Sequence, residues 1–324
     1  MLKKFFTLII VAALIAVTAL PAMAFEPDKD PALKLYLDFE GNIGSATTIF
    51  KDEPARTPQL NAAGGNINYS AGVFGQGFNF DGETGLYLGN DIVTGNNFTI
   101  ALWFNQREEQ PWTSVFHARW LDGEDESGND EFWMCIRPRT DLDANPDRNM
   151  QFWTCGAGDY DYWFDGVTTT SVEPNKWYHV AVTVAGEDII VYTDGEITFD
   201  TRTSDKNYTS NIDQLMYAMK ETKNRRFYLG LNEFQDWPFQ GTIDEFYAFN
   251  RTLSQDEIKT LMNYNPAAAA APEAPAAEIA APEAPVPAPA QTTAPAPRTN
   301  DGIIFLSIIA FASVAVIAKK AKKI

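Results

Sequence analysis

Two stretches of the chain alternate strictly, and that alternation limits what it can fold into. In "NFTIALWFN" the apolar Phe98, Ile100, Leu102 and Phe104 share one parity, and Thr99, Ala101, Trp103 and Asn105 the other. "WYHVAVTV" repeats this, with Tyr178, Val180, Val182 and Val184 opposite Trp177, His179, Ala181 and Thr183. A period of two belongs to a strand with one face in a core, whereas a helix returns its apolar residues every three or four positions. "DIIVYTDGEITFD" adds two strands around Asp194-Gly195, a hairpin turn pair. Further strands are expected in "LKLYLDF", "GQGFNF", "TSVFHARW", "EFWMCIR", "MQFWTC" and "RFYLGL". One helix is expected where Ser254 and Glu257 stand at capping-box spacing before Ile258, Leu261 and Met262. Many short antiparallel strands over residues 25–265 predict an all-β sandwich or jelly roll of two antiparallel sheets, with one short C-terminal helix.

The ends are different in kind. Residues 1–24 run from Lys3 and Lys4 through an apolar stretch to Ala22-Met23-Ala24, the order of a secretory signal peptide cleaved before Phe25. Residues 266–299 are almost entirely Ala and Pro with scattered Glu, too poor in apolar surface to fold, and are expected as an extended stalk. Residues 300–324 hold an uncharged apolar run, Ile303 to Ala318, and then a lysine cluster that the positive-inside rule places in the cytoplasm. With Pro297, Thr299 and Asn300 before it, this end resembles a Gram-positive cell-wall sorting signal, although Ala296 departs from the usual first residue. The expectation is an exported head held at the cell surface by membrane or wall. All 43 acidic residues lie between the signal-like segment and the C-terminal apolar run, and the net charge of the chain is −18. Such a surface repels phosphate backbones and excludes nucleic acid as a partner.

"YLDFEGN", "GVFGQGFNFDG", "FTIALWF", "KWYHVAVTV", "VYTDGE", "YLGLN" and "GTIDEFYAFNRTLSQDEIKTLM" follow one another in the order and spacing of laminin-G-like domains of the concanavalin A-like superfamily. The chain resembles that family over roughly Leu33 to Asn263. The resemblance implies two packed sheets, one with an open concave face, and, as in some members, calcium bound near the last strand. Asp244 is the first candidate ligand, with Glu40 and Asn42 of "DFEGN" behind it, because calcium takes six to eight oxygens. The competing reading is a β-bulge at Asp244-Glu245, with the carboxylates bonded to backbone amides. The acidic loops 121–131 and 141–147 do not fit the EF-hand pattern.

Aromatic parity points to a ligand face. In "EFWMCIR", Phe132, Met134 and Ile136 take the apolar side, leaving Trp133, Cys135 and Arg137 on the other; "MQFWTC" likewise leaves Trp153 and Cys155. Tyr160, Tyr162 and Trp163 follow close behind. Flat rings beside polar groups suit the apolar C–H faces and hydroxyls of sugars. The alternative is a minor core under long loops. Cys135 and Cys155 share a parity on strands expected to pair, so one cross-strand disulfide is expected over two thiols. Neither a G-x-S-x-G elbow nor the E-x-D-x-E strand motif of glycanases on this superfold is present. The chain is expected to be a non-catalytic surface module for glycan or another extracellular ligand, with a purely structural or protein-binding domain second and an unrecognised glycanase third.

Overall fold

A computed structural model describes residues 25–50, 64–110, 112–121, 131–139, 149–157, 163–203, 224–234 and 236–269. The signal-like segment, most of the Ala/Pro stretch and the C-terminal run lie outside the described residues. In chain order the strands are β1 (Leu33–Leu37), β2 (Thr47–Phe50), β3 (Tyr69–Ala71), β4 (Gln76–Asp81), β5 (Thr84–Gly89), β6 (Asn97–Gln106), β7 (Phe116–Leu121) and β8 (Glu131–Arg137). Then come β9 (Gln151–Ala157), β10 (Trp163–Val167), β11 (Trp177–Ala185), β12 (Asp188–Thr193), β13 (Glu196–Asp200), β14 (Asn224–Leu229) and β15 (Gln240–Phe249). The expected sandwich forms. Its first sheet runs β13-β12-β11-β6-β15-β4-β3, with β1 also on β15; its second runs β10-β9-β8-β7-β14-β5-β2. All pairings are antiparallel.

Period-two patterning sets the core. Phe98, Ile100, Leu102 and Phe104 of β6, with Val180, Val182 and Val184 of β11, are buried in one cluster with Phe116, Ala118 and Trp120 of β7 and Phe227 and Leu229 of β14. Each such side chain contributes about 1.5–3 kcal/mol relative to exposure. The β12–β13 hairpin turns at Asp194 and Gly195 with φ of 50° and 79°, the left-handed pair that the Asp-Gly sequence supplies.

Helix α1 (Gln255–Met262) begins with the expected capping box, Ser254 accepting from the Glu257 amide and Glu257 bonding back. It lays Ile258 and Leu261 on the outer face of the first sheet, against Ala101, Ala181, Tyr247 and Phe249. Pro266 to Ala269, the first residues of the expected extended stalk, form a single helical turn, with Asn265 Oδ1 accepting from the Ala268 amide. Proline at the first helical position followed by alanines favours that turn.

Candidate functional site

The β-bulge that competes with a calcium site at the acidic pair is present. β15 pairs with β4 through Ile243, then with β1 from Phe246 onward, and its register to β6 slips between Asp244 and Tyr247. Asp244 and Glu245 sit where β15 changes neighbour, Glu245 at a left-handed φ of 49°. Asp244 Oδ2 accepts the amides of Val73 (2.8 Å) and Phe74 (3.2 Å) in the β3–β4 turn, and Oδ1 accepts that of Glu245 at 2.9 Å. Glu40 Oε1 accepts the Gln76 amide of the same turn at 2.9 Å. Two carboxylates thus cap one turn.

Burial, ahead of the opposing amide bonds, pushes the Asp244 carboxyl up to about 6, and nearby Glu40 adds to the rise. Burial likewise carries Glu245 to about 8, while the hydroxyls of Tyr36 (2.8 Å) and Tyr247 (3.0 Å) donate to its Oε2. Asn42 bonds within its own loop, to Asp38 Oδ1, the Glu40 carbonyl and the Gly44 amide. The donors at the turn fit a hard cation in kind, being all oxygen. They supply two carboxylates, and among the described residues no three His, Cys, Asp or Glu side chains converge to hold a metal. An ion there would draw its remaining oxygens from backbone carbonyls and water.

The aromatic face is built on the second sheet, on the side away from the core. Register aligns it into two rows. Asp165, Trp153, Cys135, His117, Tyr228 and Tyr87 lie side by side across β10, β9, β8, β7, β14 and β5. The next row holds Trp163, Cys155, Trp133, Arg119 and Arg226. Trp133 and Trp153 do meet, with ring centroids 5.8 Å apart. Arg137 lies between Trp153 (5.7 Å to the ring) and Trp112 (4.1 Å), and donates to Gln151, which donates to Asp165. Trp112 itself has a φ of 60°, costly for a bulky side chain. Trp163 is placed by register alone, and Tyr160 and Tyr162 lie outside the described residues.

These rings are more covered than parity implies. Trp153 is 8% exposed and Arg137 1%. The segment after β14 folds over the face: Phe234 packs on Trp133 (4.8 Å), edge-on to His117 (5.6 Å) and under Arg119 (5.9 Å). Glu233, beside it, is salt-bridged to Arg119 and to Arg226 and accepts from the Tyr228 hydroxyl. Burial and the Glu233 charge raise the Tyr228 hydroxyl above its ordinary range. Asn232, also buried, ties Trp112, Ser114 and Asp236 together.

Of this set, sequence reasoning missed Arg119, Arg226, Glu233 and Trp112. The first two were within reach, since Phe116, Ala118 and Trp120 are core and their alternates must face out, as must those of Phe227 and Leu229.

Register does not set the two cysteines of the expected disulfide opposite each other. Cys135 stands opposite Trp153 and Cys155 opposite Trp133, so the cysteines are diagonal neighbours. Diagonal positions lie about 7–8 Å apart, past the roughly 7 Å a disulfide tolerates. Cys135 is buried, with Sγ 3.1 Å from His117 Nδ1.

Residues 80–259 match the family described as the Concanavalin A-like lectin/glucanases superfamily. Among solved structures, domain 4 of AbnA, a GH43 extracellular arabinanase from Geobacillus stearothermophilus in complex with arabinotriose, aligns at a TM-score of 0.52 and 21% identity, covering 71% of this chain and 98% of that one. The CBM40 of the Ruminococcus gnavus IT-sialidase bound to alpha2,3 sialyllactose aligns at 0.41 and 14%, covering 61% and 99%. The Trypanosoma rangeli sialidase in complex with the inhibitor DANA aligns at 0.36 and 16%, covering 66% of this chain but 32% of that one. No curated protein matches the chain.

Proposed function

The chain belongs to the Concanavalin A-like lectin/glucanases superfamily, and from that premise we propose that its head is a non-catalytic module that binds carbohydrate at the outer face of the second sheet. The observation carrying this reading is the pairing of Trp133 and Trp153 beside a polar row, Arg137, Gln151 and Asp165, on the side of the sheet away from the core. Outer faces of sheets need charged or polar residues only for solubility; an aromatic cluster with Trp153 buried as its base and partly buried rings above it, flanked by hydrogen-bonding groups, offers what a sugar ring requires. The indole N–H of Trp133 has no hydrogen-bond partner among the described residues. The arabinotriose complex of the similar arabinanase domain agrees with this class of ligand.

A second reading has its own support. Cys135, Trp153 and Trp133 form a small apolar cluster, and Phe234 covers part of it, as in a satellite core of a structural or protein-binding domain. A glycan array probed with the full-length protein, paired with Trp133→Ala, separates them. Lost binding at an unchanged melting temperature supports the ligand face. A fall of about 3–5 kcal/mol in stability, as for a buried aromatic truncated in a core, supports the satellite core.

The remaining parts of the proposal concern place and ion. Export, anchoring by residues 300–324 and projection on the Ala/Pro stretch rest on the sequence features of the two ends. Calcium is proposed at Asp244 and Glu40, where an ion would relieve two carboxylates that have no cationic partner among the described residues. Chelation would then lower the melting temperature, and a melting curve indifferent to chelator and to added calcium would remove the ion.

A further inference from the structure

Resting on the carbohydrate reading above, the geometry points to an uncharged glycan as the ligand, stacked on the half-buried rings of Trp112 and Phe234, the first and last rings of one cation–aromatic ladder. The ladder runs Trp112, Arg137, Trp153, Trp133, Phe234, Arg119, with successive separations of 4.1, 5.7, 5.8, 4.8 and 5.9 Å. Its middle is inaccessible: Arg137 is 1% exposed and Trp153 8%. They are positioning residues, holding the outer rings from beneath.

The face does carry three arginines, which would ordinarily suggest an acidic sugar. Each is engaged within the protein. Arg119 and Arg226 converge on the buried Glu233, their side chains 14% and 13% exposed. Arg137 bonds to Gln151 and stacks between two indoles. Pulling Arg119 or Arg226 toward a ligand carboxylate would strip the buried Glu233 of one of its two counter-charges, and pulling Arg137 would break the ladder; either offsets what a partly exposed ion pair returns. The whole chain also repels anionic polymers, at −18. What remains for contact is ring surface. Trp112 keeps a left-handed backbone at φ 60° and is held there by the Asn232 side chain bonding its carbonyl. A strained bulky aromatic fixed by a buried amide suits a preorganised contact.

The test is retention of the full-length protein on two sets of immobilised polysaccharide, neutral (xylan, mannan, β-glucan, arabinan) and acidic (polygalacturonate, hyaluronan), at low and high salt. Binding to at least one neutral chain is expected, changing less than about twofold between the salts because no ion pair forms. Trp112→Ala should weaken that binding by about tenfold, as for a central aromatic contact. Should Trp112→Ala fold poorly, Phe234→Ala carries the same expectation. Preference for the acidic chains with strong salt dependence overturns the neutral-ligand inference and leaves the carbohydrate reading standing. Neutral binding untouched in folded variants at both rings overturns the rim contacts. No retention on either set removes the carbohydrate reading itself.

Discussion

Glu245 shows how one side chain links sequence, strain and pH. It is an acid in the middle of an apolar strand, and the backbone folds it inward at a left-handed φ of 49° under the stacked rings of Tyr36 and Tyr247. Its folded pKa, about 8 against an ordinary 4.5, means that the native protein holds a proton the unfolded chain has released between those values. The unfolded state then binds fewer protons, so stability falls as pH rises from about 4.5 to 8, by up to about 1.4 kcal/mol per unit. Glu245→Gln keeps an acceptor for both tyrosines and should flatten that slope. Chemical denaturation at pH 5 and pH 8, in chelator so that no ion intervenes, measures it, and equal slopes in both proteins would refute the assignment. At this scale the sequence was partly legible. The acidic pair announced a bulge, since a strand cannot keep two consecutive carboxylates in a ladder without changing something. Trp112 was not legible, because nothing local announces that Asn232, far along the chain, will hold its carbonyl.

Among the elements, the periodic ones were read correctly and the irregular ones were not. β6, β8, β9, β11 and the β12–β13 hairpin carry long alternation or an Asp-Gly turn, signals that tertiary contacts reinforce. β2, β3, β5 and β10 went unread because three to six residues hold too little pattern, and because sheet neighbours rather than propensity decide them. The cysteines show a related limit: parity says which face a residue takes, and only register says which residue it meets, here Trp153 opposite Cys135 and Trp133 opposite Cys155. Helix α1 is eight residues long, too short to stand alone, so packing must hold it. That predicts unequal responses to two changes. Ser254→Ala loses one cap and should cost about 1 kcal/mol. Ile258→Ala opens a cavity against the outer face of the first sheet and should cost roughly 2–5 kcal/mol. Thermal melts of both variants test the ranking; a costlier Ser254→Ala would mean that the cap, and not the buried stripe, fixes the helix.

For the whole head, the decisive contact joins its two ends. The Arg251 guanidinium bonds to Asp30 (2.6 Å) and to Glu257 (2.6 Å), and lies 5.2 Å from the ring of Phe25, which itself packs on Phe249. The Tyr264 hydroxyl donates to Asp28. The first described residues are thereby pinned to the strand and helix that end the head, and β1, which among the described residues pairs with β15 alone, is held along its length and at its entry. The Asp30 side chain is 8% exposed in this arrangement. Arg251→Ala would leave that carboxylate half-desolvated with no counter-charge, a loss of about 1–3 kcal/mol. For a head of this size each kcal/mol moves the melting temperature by about 2–4 °C, so a drop of roughly 2–12 °C is expected. Pairing the change with Asp30→Asn removes the stranded charge, and the double variant should melt above the sum of the two single losses. Arg251 is on the first sheet's side and the aromatic face on the second's, so the affinity of the folded fraction for its ligand should stay as it was. Strict additivity in the double-mutant cycle would show that the ends do not act through this ion pair. The ring packing of Phe25 on Phe249 would then be the contact that closes the head.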